Sequence, residues 1–152
     1  MSQAVKIRYG DPVEDGARAL LEASHALMQS LFPAESNHYL SLDDLKADNI
    51  RFFVADLHGQ AAGCGALALR EGYGEVKSMF VDPAKRGAKL GQRILDRIEE
   101  EARENGLTLL RLETGNTLAA AHRLYKSQGY ALCGPFGDYK PDPNSLFMEK
   151  TL

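Results

Sequence analysis

The amino-acid sequence predicts an α/β (α+β) fold: a mixed, mostly antiparallel sheet of about six to seven strands, with helices on both faces. Three observations carry this prediction. The β-patterned segments Arg51–Leu57, Ala61–Arg70 and Glu75–Val81 follow one another across short turns, and strands joined in that way pair antiparallel. A strand, a long amphipathic helix and another strand fill residues 75–113, which demands a crossover and a parallel pair. Over the whole chain, extended and helical patterns run β-α-α-β-β-β-α-β-α-β-β, which places helices on either side of one sheet.

Each element has a local reason. Val5–Tyr9 alternates apolar and polar residues and reads as the first strand. Asp11 stands as N-cap and Pro12 at the first position of a helix. Its apolar residues Leu20, Leu21, Leu27, Met28 and Leu31 recur at helical spacing until Pro33 ends it. Ser41 caps a short second helix, with Asp44 three residues on as a reciprocal partner. His58-Gly59-Gln60 and Glu71–Gly74 are turns between strands, and Asp82-Pro83 stops the fourth strand. From Leu90 to Asn105, Leu90, Ile94, Leu95, Ile98 and Ala102 form one stripe opposite charged residues, and Gly106 takes the C′ position. Leu107–Glu113 is a strand, Leu118–Gln128 a helix ended by Gly129, and Tyr130–Leu132 and Leu146–Lys150 the last strands.

The length of 152 residues is that of one domain, 1–152, with no repeat, low-complexity tract or linker to divide it. Apolar residues make up 44% and charged residues 26%, a globular balance. A net charge of −3 and a pI near 5.8 lack the basic footprint of a general nucleic-acid binder. Cys64 and Cys133 lie outside any C-x-x-C or Cys/His cluster, so no metal is expected. Isolated thiols fit a reducing cytosol. Met1–Lys6 lacks the apolar stretch of a signal peptide, and no run approaches the roughly 18 apolar residues of a membrane span. A cytoplasmic chain without a membrane or nucleic-acid partner is the expectation.

Chemistry concentrates in Glu75–Leu95, where a strand feeds a short loop that opens the long helix. The first N–H groups of a helix have no partner inside it, and its dipole favours anions there. Gly87 and Gly91 clear side chains from those amides, and Lys85 and Arg86 add positive charge, so a diphosphate should sit here. The stretch is neither G-x-x-x-x-G-K-[ST] nor G-x-G-x-x-G.

Val81-Asp82-Pro83 followed by Arg86-Gly87-Ala88-Lys89-Leu90-Gly91 resembles the [Q/R]-x-x-G-x-[G/A] coenzyme A signature of the GNAT superfamily of acyl-CoA N-acyltransferases. Arg86 and Gly91 match, whereas Lys89 stands where the middle glycine is usual; its backbone amide survives, since only proline lacks one. Ala121-His122-Arg123-Leu124-Tyr125-Lys126-Ser127-Gln128-Gly129-Tyr130 is similar to the family's A-x-x-L-Y-x-x-x-G-[F/Y] segment. The familiar Asn of that motif would fall at Leu118, and Asn116 is two residues early, so its role is not carried over. The two matches stand in the expected order, one strand apart, within Arg51–Tyr130.

The resemblance implies a direct transfer from acetyl-CoA, the co-substrate, to the amine of a small molecule such as an amino acid. It implies that Met79, Phe80 and Val81 pair with the pantetheine arm as an added strand, and that Arg86, Gly87, Ala88, Lys89, Leu90, Gly91 and Gln92 cradle the phosphates. It implies a splay between the parallel fourth and fifth strands that admits the thioester. Tyr125 matches the tyrosine that protonates the departing thiolate, a proton transfer suited to a phenol. Glu75 stands where some members carry a general base; Glu113, near the end of its strand and on the face of Arg111, competes with it, and a water chain is the third choice.

Acceptor sites of the family lie on the segment after the first helix and the last inter-strand loop, which here present Glu35, Ser36, His38 and Tyr139. His25, His122 and His58 read as structural or solvated, and Glu99-Glu100-Glu101 as a solvated helix face. A homodimer is common in the family. The alternatives to a small-molecule enzyme are a non-catalytic acyl-CoA-binding regulatory module, with Lys89 marking lost turnover, and a protein or peptide N-acetyltransferase.

Overall fold

The computed structural model describes residues 4–152; Met1–Gln3, part of the opening segment read for a signal peptide, lie outside the described residues. Seven strands form one sheet: β1 (Val5–Tyr9), β2 (Ile50–Leu57), β3 (Gln60–Leu69), β4 (Gly74–Val81), β5 (Leu109–Gly115), β6 (Ala131–Cys133) and β7 (Ser145–Thr151). Their spatial order is β1-β2-β3-β4-β5-β7-β6, with every neighbouring pair antiparallel except β4–β5, which is parallel. That is the mixed, mostly antiparallel sheet the patterning predicts.

Period two along the strands separates two apolar layers. Phe53, Ala55, Leu67, Val76, Leu110 and Leu112 face α2 (Leu90–Glu104) and α3 (Ala119–Ser127), whose Ile94, Leu95, Ile98 and Tyr125 fill one core. Phe52, Val54, Cys64 and Ala66 face α1 (Asp15–Leu31), which contributes Ala17, Leu20 and Leu21. Burial of each such Leu or Ile contributes about 1.5–3 kcal/mol, so both faces of the sheet are held by their helices.

Several expectations change in detail. The first helix starts at Asp15 with Glu14 as N-cap. Asp11 instead makes a local turn, its carboxylate accepting from the Val13 amide at 3.0 Å. Leu27 and Leu31 are exposed. Ser41 and Asp44 do make the reciprocal cap, but the segment closes only one 3₁₀ turn, Asp44–Lys46. The fifth strand is shifted to Leu109–Gly115. The acidic run on α2 is not a solvated face: Glu99 and Glu101 are buried, and only Glu100 is exposed. Glu99 accepts from Tyr130 and Lys150, and Glu101 accepts from Tyr9 and pairs with Arg97, so partners offset the cost of burying each charge.

Two irregularities shape the centre of the sheet. β4 and β5 pair only at Gly74↔Leu110, Glu75↔Arg111 and Val76↔Leu112, although β4 runs on to Val81 and β5 to Gly115. β5 stays paired with β7 to its end, so the opening lies between β4 and β5 alone. At the same point β4 carries a bulge: Ala66 faces Lys77 and Cys64 faces Phe80, leaving Ser78 and Met79 opposite Gly65. Ser78 takes φ 57°, and Gly65 makes room, since a Cβ there would lie 2.6 Å from Met79 Sδ. The extra residue reverses the alternation. Val76 faces α2 before the bulge; Met79 and Val81 do so after it, and Phe80 turns to the α1 side.

Candidate active site

The loop after β4 leaves amides and basic side chains free at the start of α2. Asp82 caps the single turn Pro83–Lys85 by accepting from the Ala84 amide at 2.9 Å. Gly87 has φ 106°, and Lys89 is left-handed at φ 55°, ψ 38°. That conformation explains why glycine is usual at the position Lys89 occupies. The first ladder bond of α2 runs from the Arg93 amide to Lys89 O at 3.0 Å, so the amides of Leu90, Gly91 and Gln92 have no helical acceptor. Arg86 and Lys89 are exposed and form no ion pair among the described residues.

The Lys85 ammonium donates to Gln60 Oε1 at 3.3 Å and Ala61 O at 3.4 Å. Gly91 also packs against α3: a Cβ there would lie 3.0 Å from Leu124 Cδ2.

The parted strands open a cavity of about 130 Å³ that reaches both faces of the sheet. Tyr125 enters it from α3, Glu113 from the α1 face of β5, and Ser78 and Met79 from the bulge. Without the gap, the sheet would separate Tyr125 from Glu113. Tyr125 is 5% exposed and makes no hydrogen bond through its hydroxyl among the described residues. Burial, and next the Glu113 charge, push its phenol pKa above the ordinary value. Burial also raises the Glu113 carboxyl, opposed by the Ser145 hydroxyl, which donates to it at 2.7 Å, and by the charges of His38 and Lys77. Phe32 roofs the cavity against Gly115, where a Cβ would lie 2.2 Å from the ring.

A second cavity, of about 600 Å³, adjoins the first across His38, Tyr39 and Lys77. Its floor is Glu75, 3% exposed rather than a solvated strand-end carboxylate. Arg70 Nε and Nη2 donate to Glu75 Oε1 at 3.2 Å each, and Tyr139 Oη donates to Oε2 at 2.6 Å. The Lys77 ammonium lies 3.4 Å from Oε2. Burial and the neighbouring Glu75 charge hold the Tyr139 phenol protonated.

Met79, Glu113 and Tyr125 therefore meet in one cavity, with Glu75 and Tyr139 in the next and His38 shared. Ser36 is buried, donating to Asp142 Oδ2 at 2.7 Å, while Glu35 is exposed at the rim. Phe80 and Val81 put their side chains into the two cores, and only their main chain borders the gap. Asn116 donates to Pro143 O, a loop tie. His122 lies 2.8 Å from Gly115 O, and His25 stacks on Tyr39 at 4.0 Å, so both are structural. Lys77 and Arg70 escaped the sequence reading. Period two places Lys77 on the face of Glu75, the one signal that could have marked it.

The parted parallel strands, with free helix-terminal amides beside them, fit an acyltransferase, and the chain belongs to the GNAT acetyltransferase family: the profile of the Acetyltransferase (GNAT) family matches residues 18–130. Among its relatives, the IAA acetyltransferase of Azospirillum brasilense is 51% identical over 97% of this chain and 98% of that protein. The Bacillus subtilis N-acetyltransferase YsnE is 41% identical over 82% of this chain and 85% of its own. A crystal structure assigned as an acyl-CoA N-acyltransferase of Klebsiella pneumoniae superposes with a TM-score of 0.81, at 35% identity over 97% of both chains. The same fold, at 23% identity and a TM-score of 0.72 over 97% of this chain and 94% of that one, occurs in yncA of Salmonella typhimurium, solved with acetyl-CoA.

Proposed function

We propose that the protein transfers the acetyl group of acetyl-CoA directly to the amine of a small molecule, in a ternary complex at the gap between β4 and β5. The observation that carries this reading is the meeting of Tyr125 and Glu113, from opposite faces of the sheet, in one cavity. The free amides of Leu90–Gln92 with Arg86 and Lys89 would hold the diphosphate. The unpaired edge of β4 at Met79–Val81 would take the pantetheine arm as an added strand. The acetyl-CoA seen in yncA supports this choice of donor.

In the transfer, an ammonium entering from the acceptor side gives one proton to Glu113, which passes it to solvent. The neutral nitrogen attacks the thioester carbonyl carbon, and the carbon–sulfur bond breaks. The sulfur takes the phenol proton of Tyr125, and the nitrogen's surplus proton returns to the phenolate oxygen. One proton is released per turnover. Glu113 suits the base better than Glu75: its carboxyl is raised by burial and holds only Ser145, whereas the Glu75 oxygens are engaged by Arg70, Tyr139 and Lys77. Burial keeps the phenol protonated and so able to donate, and the same burial disfavours a bare thiolate beside it.

One sheet spanning Val5–Thr151 supports a single domain. Among the described residues no helix is long and apolar enough to cross a membrane, and the two free thiols support a cytoplasmic location. The test is thiol release from acetyl-CoA over a panel of amines and amino acids. Amine-dependent release lost in Glu113→Gln is the expected result; acetyl-CoA binding without release on any amine would leave a binding module instead.

A further inference from the structure

Lys77 belongs to no motif, yet its ammonium is where the acceptor side of the site is tied together. We propose that Lys77 is a positioning residue, fastening the two acceptor loops to β4 at the mouth of the gap and setting the charge environment of Glu113. This rests on the reading of Glu113 as the base.

The side chain is 9% exposed. Its ammonium donates to His38 O at 3.0 Å and Tyr139 Oη at 2.9 Å, and lies 3.4 Å from Glu75 Oε2. Two of the ammonium's three donors are held by His38 O and Tyr139 Oη and its charge is paired with Glu75, which makes the role one of placement. The three partners come from three segments: the stretch after α1, the loop between β6 and β7, and β4 itself. The His38 and Tyr139 rings meet edge to face at 5.2 Å beside the ammonium, which stands 5.6 Å from the Tyr139 ring centre. Lys77 lines both cavities and so forms part of the wall between them.

The parallel register sets Lys77 level with Glu113, one step beyond the last pair, Val76↔Leu112. Glu75 and Lys77 face Glu113 from β4, His38 from the loop, Tyr125 from α3 and Ser145 from β7. The Lys77 charge and that of His38 favour the carboxylate, and Glu75 opposes it.

The test compares wild type, Lys77→Met, Lys77→Arg and the double variant Lys77→Met with Glu75→Gln. Steady-state kinetics are run against pH, and the Glu113 carboxyl is titrated by carbon-13 NMR, which needs no turnover. In Lys77→Met the acceptor KM should rise about tenfold while that of acetyl-CoA holds. The Glu113 titration and the acid limb of kcat/KM should move up by roughly half a unit to one unit, because a lost positive charge lets the carboxyl keep its proton to higher pH. Lys77→Arg should restore the titration. The double variant removes one charge of each sign, so it stays folded and titrates near wild type. A folded Lys77→Met protein with an unmoved Glu113 titration and an unchanged acceptor KM overturns the proposal. Failure of the wild type to turn over any amine strikes the acetyl-transfer reading instead, and the NMR titration still decides the role of Lys77.

Discussion

Replacing Tyr125 by Phe should make the protein less active and no less stable, and the two effects have separate structural causes. The ring is buried against Tyr130 at 5.8 Å and packs in the core beneath β5, so Phe keeps every apolar contact. The hydroxyl makes no hydrogen bond among the described residues, so removing it leaves no protein partner unpaired. Burying a hydroxyl without a partner costs about 1–3 kcal/mol, and this one borders a cavity, so the gain on removal should be at most about 1 kcal/mol. For a chain of this size that is a rise in Tm of about 2–4 °C. Turnover should fall at least tenfold, since general acid catalysis contributes roughly 10²–10⁴. Thermal melts and thiol-release kinetics on one preparation report both quantities, and calorimetry checks that acetyl-CoA affinity holds. Wild-type turnover in Tyr125→Phe would remove the phenol from the mechanism; a melt lowered by several degrees would show that its hydroxyl is bonded in the folded protein.

Glu113→Gln should cut kcat/KM by about 10²–10⁴ and abolish the acid limb of its pH profile. The raised folded-state carboxyl binds its proton more tightly than in the unfolded chain, so wild-type stability falls as pH rises above the ordinary carboxylate range. The Gln variant should therefore melt higher at neutral pH, a gain that vanishes in acid, as melts at several pH values would show. Lys89→Gly relieves a left-handed residue worth about 1–2 kcal/mol and adds about 0.5–1 kcal/mol of unfolded-chain entropy, so denaturant titration should give a small net stabilisation. Gly115→Ala drives a Cβ to 2.2 Å from Phe32 and should cost about 1–3 kcal/mol; an unchanged melt would show that Phe32 swings aside freely.

The fold was legible because its elements are locally consistent. β2, β3 and β4 are extended segments rich in apolar residues between turn residues, and α2 has an apolar stripe with Gly106 at φ 75° behind it. The crossover from β4 through α2 to β5 follows from length alone. What stayed hidden depends on contacts remote in sequence. Glu99 and Glu101 read as a charge run until Lys150 and Tyr9 are brought to them by the sheet. Ser78 has no residue-type signal for φ 57°, because that conformation belongs to the bulge, which Gly65 accommodates across the strand pair. The loop at Arg86–Gly91 and Tyr125 stand in motifs of local spacing, which is how the sequence marks them as candidates. The staple at Lys77 was not marked in this way, since His38 and Tyr139 reach it from loops 39 and 62 residues away.

A crystal structure with acetyl-CoA tests the shared gap most directly. The diphosphate should lie on the amides of Leu90–Gln92, the pantetheine arm along Met79–Val81, and the thioester sulfur within about 3–4 Å of Tyr125 Oη. Density that runs over the outer surface of α2, with the sulfur remote from both Tyr125 and Glu113, would contradict it.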